Sequence, residues 1–292
     1  MDDRHGHKHL GLRGDMTTTV WGVDFSGAAT PGDRLALAEA SLTDGTLHIE
    51  TVDAVANRCA TAPGRDAAIA GLVDLAGRSR PARVGVDAAL SLPQSAVRAL
   101  GVGDWTQLPA AVRDQCSDAR ELSTVVIEAA PATGPRYPRR VVDAQASALS
   151  PVHFLIAAQT YAALTELLPR WQQVGGIIPH TEGTPALCEV YPAAALDIWG
   201  LDATGYKGAD PVHSDRRRAI VEALTATGAV RIAGEARDAM LSQHGGDLLD
   251  AAVAATATAF MTPCPTTGPP VEGRICGADP TDYPSQSPLL PA

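Results

Sequence analysis

Three strand-forming segments follow one another near the start of the chain, and they restrict the possible folds more than any other feature. The run TTVWGVDFSG (residues 18–27) is rich in β-forming residues, and RLALAEASL (34–42) and LHIETVDAV (47–55) alternate apolar and polar residues. TDGT (43–46), between the last two segments, has the residues of a tight hairpin turn. The sequence therefore predicts three successive antiparallel strands.

The segments after this hairpin alternate between helical and strand patterns. A helix is predicted at 62–80, and the short apolar run RVGVDAAL (83–90), broken by one acid, is typical of a buried central strand. The further predicted elements are helices at 91–101, 104–123 and 144–171, a strand that begins at 123 and leads into a loop, a strand at 184–192 with a short helix after it, a helix at 214–228 capped by Ser214, and two helices within 235–260 split by Gly245 and Gly246. This order predicts an α/β chain with a mixed central sheet.

The domain organisation follows from where the ordered patterns begin and end. No internal repeat or linker divides residues 18–276, so we expect a single domain with helical insertions there. Residues 1–17 are polar and His-rich and predict a disordered leader, while 277–292 are of low complexity and predict a flexible tail.

Composition argues against several classes of protein. No apolar run reaches the length of about eighteen residues that a membrane-spanning helix needs, and the N-terminus lacks the apolar core of a secretion signal, so a cytoplasmic protein is expected. Five scattered cysteines without a CxxC pair indicate reduced thiols. The net charge of −10 disfavours a uniformly basic nucleic-acid surface. A nucleic acid would therefore have to meet a local patch such as RYPRR (136–140) or RRR (216–218), although either run is also explained as a solvated surface.

Acidic residues recur at the ends of strongly apolar segments. Asp24 follows VWGV, Asp87 follows VGV, Glu189 lies in LCEVYP, and the pair Asp247 and Asp250 opens an Ala-rich helix. A carboxylate in such a position costs several kcal/mol unless it is paired or binds a cation. Asp24 and Asp87 are also explained as turn residues and Asp247 as a helix cap, but the whole set is explained together if the carboxylates converge on Mg²⁺ or Mn²⁺, which prefer oxygen ligands.

The spacing of the last two acids supports this convergence. Residues at i and i+3 lie on one face of a helix, so Asp247 and Asp250 are expected to point toward the same neighbour. Gly245 and Gly246 before them permit close approach of the backbone. Asp247 is explained equally well as a helix cap, whereas Asp250 lies one turn inside, where capping explains nothing.

Five segments in this order resemble the prokaryotic family called domain of unknown function 429, whose members are predicted nucleases of ribonuclease H-like fold. They are VDFSG, VGVDAALSLP, EVYPAAAL, GYKG and GGDLLDAAVAATATA, and EGRI resembles the closing strand of the family. The resemblance covers roughly residues 18–276 and implies a ribonuclease H-like sheet, three antiparallel strands followed by parallel ones, flanked by helices. In that fold an acid of the first strand meets one of the fourth strand and one of the last helix. The family's acids fall on Asp24, Asp87, Glu189 and Asp250, with Asp247 beside them.

This resemblance implies a metal-dependent nuclease that uses two Mg²⁺ or Mn²⁺ ions. Asp24 is the expected bridging ligand, with Asp87 and Glu189 on one side and Asp250, with Asp247, on the other. The implied partner is DNA or RNA. The remaining candidates are Lys207, Arg216 and Arg217 for substrate phosphates, His244 for proton transfer, Tyr191 and Trp199 for base stacking, and Glu128 as a reserve ligand.

Two other classes of function are compatible with the same residues. Actin-like and sugar-kinase-like phosphotransferases also begin with a strand, an acid and a Gly-containing turn, although they duplicate the domain and no second copy is evident here. A non-catalytic binding or scaffold protein, with acids that are partly structural, fits the acidic composition. The sequence leaves the oligomeric state and the choice between DNA and RNA open.

Overall fold

The structure, a computed structural model, describes residues 17–262 and 270–291, so the predicted leader lies outside the described residues except for Thr17. Its strands are β1 (Thr18–Asp24), β2 (Ala36–Thr43), β3 (Thr46–Ala54), β4 (Arg83–Asp87), β5 (Gly176–Ile178), β6 (Ala186–Val190), β7 (Val230–Ile232) and β8 (Ile275–Cys276). Its helices are α1 (Val55–Arg58), α2 (Arg65–Ser79), α3 (Gln94–Ala99), α4 (Leu108–Gln115), α5 (Ala119–Glu128), α6 (Val141–Gln145), α7 (Ala157–Ala162), α8 (Leu168–Trp171), α9 (Pro192–Ile198), α10 (Pro211–Ala226), α11 (Gly234–Ser242) and α12 (Asp247–Phe260). A π-helical turn (Ala163–Leu167) joins α7 to α8 without a break, and short 3₁₀ turns lie at Gly32–Arg34, Trp105–Gln107, Pro270–Glu272 and Pro280–Asp282.

All eight strands belong to one mixed sheet. Its order is β5-β6-β4-β1-β2-β3-β7. β5 pairs with the first half of β6, and β8 pairs with the second half along the same side of that strand. Strands β1, β2 and β3 are antiparallel, as their alternating patterns predict, and the positive φ angles of Asp44 and Gly45 form the tight turn between β2 and β3. β4 and β6 add to β1 in parallel. The predicted fold class is confirmed: the sheet is antiparallel and then parallel, flanked by helices, consistent with a ribonuclease H-like fold.

The two faces of the sheet carry two separate apolar cores. One core joins residues of β1 and β4 such as Trp21, Val23 and Val86 to α2, α4 and the α7–α8 helix. The other joins the opposite faces of β2, β3 and β6 to α9, α10 and α12. Because successive residues of a strand point to opposite faces of the sheet, alternate residues of β1 and β4 face alternate cores.

Helix α12 packs unusually close to the sheet, and two glycines make this possible. Gly22 of β1 and Gly85 of β4 are neighbours in register, and both face α12. A Cβ on Gly22 would lie 2.1 Å from the carbonyl oxygen of Ala251, and a Cβ on Gly85 would lie 2.0 Å from the hydroxyl of Thr258. The Ala-rich sequence of α12 serves the same purpose, since small side chains let the helix backbone lie against the strands. The first turn of α12 is thereby held at the carboxyl end of β1.

We expect Gly22→Ala to destabilise the protein by about 3 kcal/mol, because a methyl group cannot enter this interface without moving α12. The loss should appear as a lower urea midpoint with an unchanged slope. Gly103→Ala is the matched control, since nothing lies within 4 Å of an added Cβ there. Equal midpoints for the two variants would contradict the close packing.

Several predicted elements are wrong or displaced. The predicted strand after residue 123 is part of helix α5, because Asp118 caps its start by accepting hydrogen bonds from the backbone N–H groups of Arg120 and Glu121. Leu122 and Val126 are then buried one turn apart, which outweighs the strand preference of the β-branched run. The predicted long helix starts at α7, thirteen residues late, and α10 begins after Asp210 rather than at a Ser214 cap. β5 and β7 have three residues each, too few for a periodic signal.

The last residues pack onto the fold, in contrast to the expected flexible tail. Tyr283 and Leu289 are buried in the core beside α12. The Asp282 carboxylate forms an ion pair with Arg274 and accepts a hydrogen bond from the backbone N–H of Gly277 at 2.8 Å. These contacts hold Gly277, Asp282, Tyr283 and Leu289 against the fold. Within the described residues, none of the helices combines the length and apolar character that a bilayer crossing requires.

Candidate active site

Two aspartates lie side by side where adjacent parallel strands end. Asp24 ends β1, Asp87 ends β4, and the two are partners in register. Each follows by two residues a glycine that faces α12, so both carboxylates are directed to the α12 face of the sheet. Asp250, in the first turn of α12 and only 1% exposed, is carried to the same place. The structure thus brings together three of the predicted acids, one from each of three elements.

Burial and mutual repulsion dominate the electrostatics of these three acids. Burial, then the charges of Asp250 and Asp87, raise the pKa of Asp24 well above its usual value. Burial and the charge of Asp250 raise the pKa of Asp87 to about 8. Burial also raises the pKa of Asp250, although Lys207 and Tyr206 oppose this effect. Three carboxylates therefore share a site where their negative charge is poorly compensated.

One loop supplies the counter-charge for Asp250. Lys207 Nζ lies 2.5 Å from Asp250 Oδ2, and the Tyr206 hydroxyl donates to Oδ1 at 2.6 Å. Burial and the nearby acid raise the pKa of Tyr206, so its hydroxyl keeps the proton that it donates. Lys207 remains half exposed despite the ion pair, so its ammonium faces both the acid and solvent.

Buried contacts fix the position of this loop. Arg217 is 1% exposed, and its Nη1 donates to the carbonyl oxygens of Tyr206 and Gly208 at 2.6 and 3.1 Å. The N–H of Gly208 donates to the carbonyl oxygen of His244, which ties the GYKG loop to the segment before α12. Gly246, at a positive φ of 81°, packs against Tyr206 and Lys207. The sequence motifs GYKG and HGGD thus form one structural unit around Asp250.

Glu189 lies on the other face of the sheet. It is the register partner of Val86, not of Asp87, so the alternation of the strand directs it away from α12. Arg140 forms an ion pair with both Glu189 oxygens, and the backbone N–H of Leu90 donates to Oε2 at 2.9 Å. Glu189 is therefore held by a protein cation, although its charge still contributes to the raised pKa of Asp87.

Asp24 and Asp87 open into a cavity of about 500 Å³ at the carboxyl ends of β1, β4 and β6, and Asp250 is buried behind them. Asp24, Asp87 and Glu189 line the cavity from the strands, Asp247 and Lys207 line one wall, and Arg140 and Asp143 line another. Asp247 is the first residue of α12, behind the N-cap Gly246, and its carboxylate accepts a hydrogen bond from Gln243. A cap is therefore not its role. A charged cleft of this size accommodates a small ligand or one segment of a polymer.

A family match covers this site. The model of the family described as Protein of unknown function (DUF429) matches residues 22–264. The chain belongs to the DUF429 family. No curated protein and no solved structure matches the chain. The DUF429 match includes the end of β1 and all of β4, β6 and α12, and hence all three aspartates of the cluster.

Except for Tyr191, the remaining predicted site residues of this DUF429 protein lie outside the cavity. Arg217 is the buried support described above, and Arg216 donates to the carbonyl oxygen of Thr204 and lies 3.7 Å from Asp202. His244 and Glu128 are exposed, and Glu128 is in a helix, not at a strand end as predicted. Trp199 is a core residue packed edge-on against Tyr283, whereas Tyr191 is half-buried and lines the cavity.

Two residues that shape the DUF429 site, Arg140 and Gln159, are not predicted from the sequence. Arg140 belongs to a run interpreted as a surface patch or solvated loop, yet it is 1% exposed and pairs with Asp143 and Glu189. Gln159 Nε2 donates to the carbonyl oxygens of Phe25 and Asp87 at 2.6 and 2.5 Å, which ties the ends of β1 and β4 together. Asp143, three residues after Arg140, was a local signal of an ion pair. Nothing local distinguishes Gln159.

The residues present fit a divalent cation in their donor chemistry. Asp24, Asp87 and Asp250 offer only carboxylate oxygens, the ligands that Mg²⁺ and Mn²⁺ prefer, and one lysine does not neutralise them. Among residues 17–262 and 270–291, no three His, Cys, Asp or Glu side chains already have the spacing of a metal site. The fit therefore rests on three properties of these acids: their carboxylate oxygens, their position on one face of the sheet, and a negative charge that one lysine does not balance.

We expect the metal-free DUF429 protein to lose stability as the pH rises. The pKa of Asp87 is about 8 in the folded protein against 3.8 for an ordinary aspartate, so the folded state binds the proton more tightly. This contribution is fully present below pH 4 and is lost as the pH rises through about 8, at roughly 1 kcal/mol per pH unit. Melting temperatures in EDTA from pH 5 to 9 should fall more steeply for the wild type than for Asp87→Asn. Parallel curves would contradict the raised pKa.

Proposed function

We propose that this DUF429 protein hydrolyses phosphodiester bonds of nucleic acids with Mg²⁺ or Mn²⁺ held by Asp24, Asp87 and Asp250. The observation that carries the proposal is the convergence of these three acids, each from a different element, beside one cavity that Asp24 and Asp87 line. Keeping three such carboxylates together without a cation is costly, because the charge of Asp250 raises the pKa of both Asp24 and Asp87, and the charge of Asp87 also raises the pKa of Asp24. A bound cation would remove that cost.

The roles of the residues follow from their positions. A bound divalent ion supplies an activated water and polarises a phosphoryl oxygen. Asp24 lies in the central strand of the sheet and interacts with both other acids, so it is the shared ligand in this proposal. Tyr206 orients Asp250 through its hydrogen bond. Lys207 has a half-exposed ammonium at the cavity wall and can neutralise a substrate phosphate. Asp247 lines the same wall and is a further ligand candidate.

A non-catalytic binding protein is the second candidate, and a specific observation favours it. Arg140 pairs with Glu189, and Lys207 pairs with Asp250, so two acids already have protein cations as partners. In that function the cavity binds a ligand, and the ion pairs serve stability. The two candidates differ in what a divalent ion does, since only the hydrolase requires the ion for turnover.

The test incubates the protein with single-stranded and duplex DNA and RNA in EDTA, Mg²⁺ or Mn²⁺, while thermal shifts are measured for each metal and for ATP. We expect cleavage of at least one substrate with metal and none in EDTA. Metal binding without cleavage of any substrate would favour the binding protein, and stabilisation that requires ATP would favour a phosphotransferase. Either result would overturn the proposed hydrolase.

A further inference from the structure

A cluster of aromatic side chains lies on two loops beside the cavity. Tyr137 belongs to the loop before α6, and His153 and Phe154 belong to the turns before α7. The ring centroids of Tyr137 and His153 are 4.8 Å apart, and those of His153 and Phe154 are 4.5 Å apart. The guanidinium of Arg136 lies 5.3 Å from the centre of the Tyr137 ring. We call these four residues the aromatic rim.

The framework under the aromatic rim is well anchored. The Ser150 hydroxyl donates to the carbonyl oxygen of Pro138 at 2.6 Å, which joins the two loops. The carbonyl oxygen of His153 accepts the N–H groups of Ile156 and Ala157, so the turn leads directly into α7. A rigid platform of this kind loses little conformational entropy when a ligand binds.

Nothing in the described part of the chain covers the outermost ring. Phe154 is 71% exposed and its neighbour Leu155 is 68% exposed, the two largest exposures among the bulky apolar side chains that the structure describes. Large apolar side chains that are exposed next to each other mark a binding surface more often than single exposed apolar side chains do. The aromatic rim is therefore a candidate for a ligand with flat apolar faces.

The location and charge of the aromatic rim indicate which ligand. Leu155, Ile156 and Arg140 line the cavity, so the rim is adjacent to its mouth. Arg136 and Arg139 are exposed there, and they place positive charge beside the rings on a protein of net charge −10. A flexible polyanion with unpaired bases matches this combination, because bases stack on aromatic rings while phosphates meet arginines.

We propose that the aromatic rim binds unpaired nucleobases of single-stranded nucleic acid that runs into the cavity. This inference rests on the proposed function and narrows its substrate class: the strand must be single at this position. In the bound state a base stacks on Phe154, and Arg136 contacts the flanking phosphate. Paired bases in a duplex cannot offer their faces, so a duplex gains none of this affinity.

The experiment measures binding in EDTA, where metal-dependent cleavage cannot interfere. Fluorescence anisotropy follows labelled single-stranded DNA, single-stranded RNA and a DNA duplex, each at low salt, with the full chain. Phe154→Tyr keeps a ring, and Phe154→Leu keeps apolar bulk without one. We expect Phe154→Leu to weaken single-strand binding about tenfold, the effect of losing one stacked base, and Phe154→Tyr to preserve it. Comparison of the affinities for single-stranded DNA and single-stranded RNA shows whether the rim binds one kind of strand or both.

Arginine variants provide the matched control for charge. Arg136→Ala should weaken single-strand binding and reduce its salt dependence, while Arg231→Ala, which removes an exposed arginine from edge strand β7, should change neither. Equal affinities of the wild type, Phe154→Leu and Arg136→Ala would overturn the rim proposal. The proposal would also be overturned if Phe154→Leu and Phe154→Tyr lost the same single-strand affinity, or if the protein bound the duplex more tightly than the single strands.

The rim and the hydrolase fail separately. If Asp24→Asn abolishes cleavage while Phe154→Leu leaves single-strand affinity unchanged, the metal chemistry stands and the rim assignment is wrong. If Phe154→Leu weakens binding while no substrate is cleaved with any metal, the rim stands as a binding site and the hydrolase is wrong.

Discussion

Asp24→Asn is expected to abolish metal-dependent cleavage and at the same time to stabilise the metal-free protein. The catalytic loss should be on the order of a thousandfold or more, since the variant lacks a carboxylate that would hold the catalytic metal. The stability gain should be about 2 kcal/mol near pH 7, because Asp24 must either bury a charge or bind a proton on folding, whereas the amide requires neither. A gain of that size raises the melting temperature by roughly 3 °C for a chain of 292 residues.

The combination is diagnostic because a residue needed only for folding would lose stability when altered. Thermal melts in EDTA and cleavage assays in Mn²⁺ are made on the same preparations. Asp114→Asn is the control, since this carboxylate is exposed and its closest basic partner, Arg113, is 3.9 Å away. It should change neither quantity measurably. A metal-free Asp24→Asn protein that melts below the wild type would show that Asp24 is structural.

Arg140→Met is expected to destabilise the protein by about 3 to 5 kcal/mol, the effect of removing one partner from a buried ion pair. Arg140, Asp143 and Glu189 are all almost fully buried, and the guanidinium binds both carboxylates. Methionine keeps much of the volume but leaves two acids without a cation. The free energy of unfolding in urea measures the loss.

Arg139→Met controls for the substitution itself, because its side chain is the exposed neighbour of Arg140. It should stay within about 0.5 kcal/mol of the wild type. Adding Glu189→Gln to Arg140→Met should recover part of the stability, since it removes one of the orphaned charges. A loss below about 1 kcal/mol for Arg140→Met, or no recovery in the double variant, would contradict the buried network.

The sequence predicted the elements whose signals are local and strong. The alternation in β2 and β3, the hairpin turn at Asp44 and Gly45, and the two glycines before α12 are each visible within about ten residues. Helix α5 was misinterpreted because the strand preference of its β-branched residues is local, whereas its cap and its buried face are decided by packing. β5 and β7 exist only through their pairing with β6 and β3.

The site was predictable to the extent that its residues follow from strand ends and helix starts. Asp24, Asp87 and Asp250 lie near one another because parallel strands end at one edge and α12 begins there. Glu189 was grouped with them because its position along the strand is similar. Its partner in register is Val86 rather than Asp87, so its side chain points to the opposite face of the sheet. The register between strands that are distant in the chain cannot be read from the sequence. Its pairing with Arg140, 49 residues away, is likewise a tertiary contact.

The most direct test of the central claim is a crystal structure of the wild-type protein soaked in Mn²⁺, with anomalous scattering recorded. We predict anomalous density between the carboxylates of Asp24, Asp87 and Asp250, with the Lys207 ammonium moved away from Asp250. The account is contradicted if saturating Mn²⁺ leaves no density among these carboxylates and the ion pair between Lys207 and Asp250 stays in place.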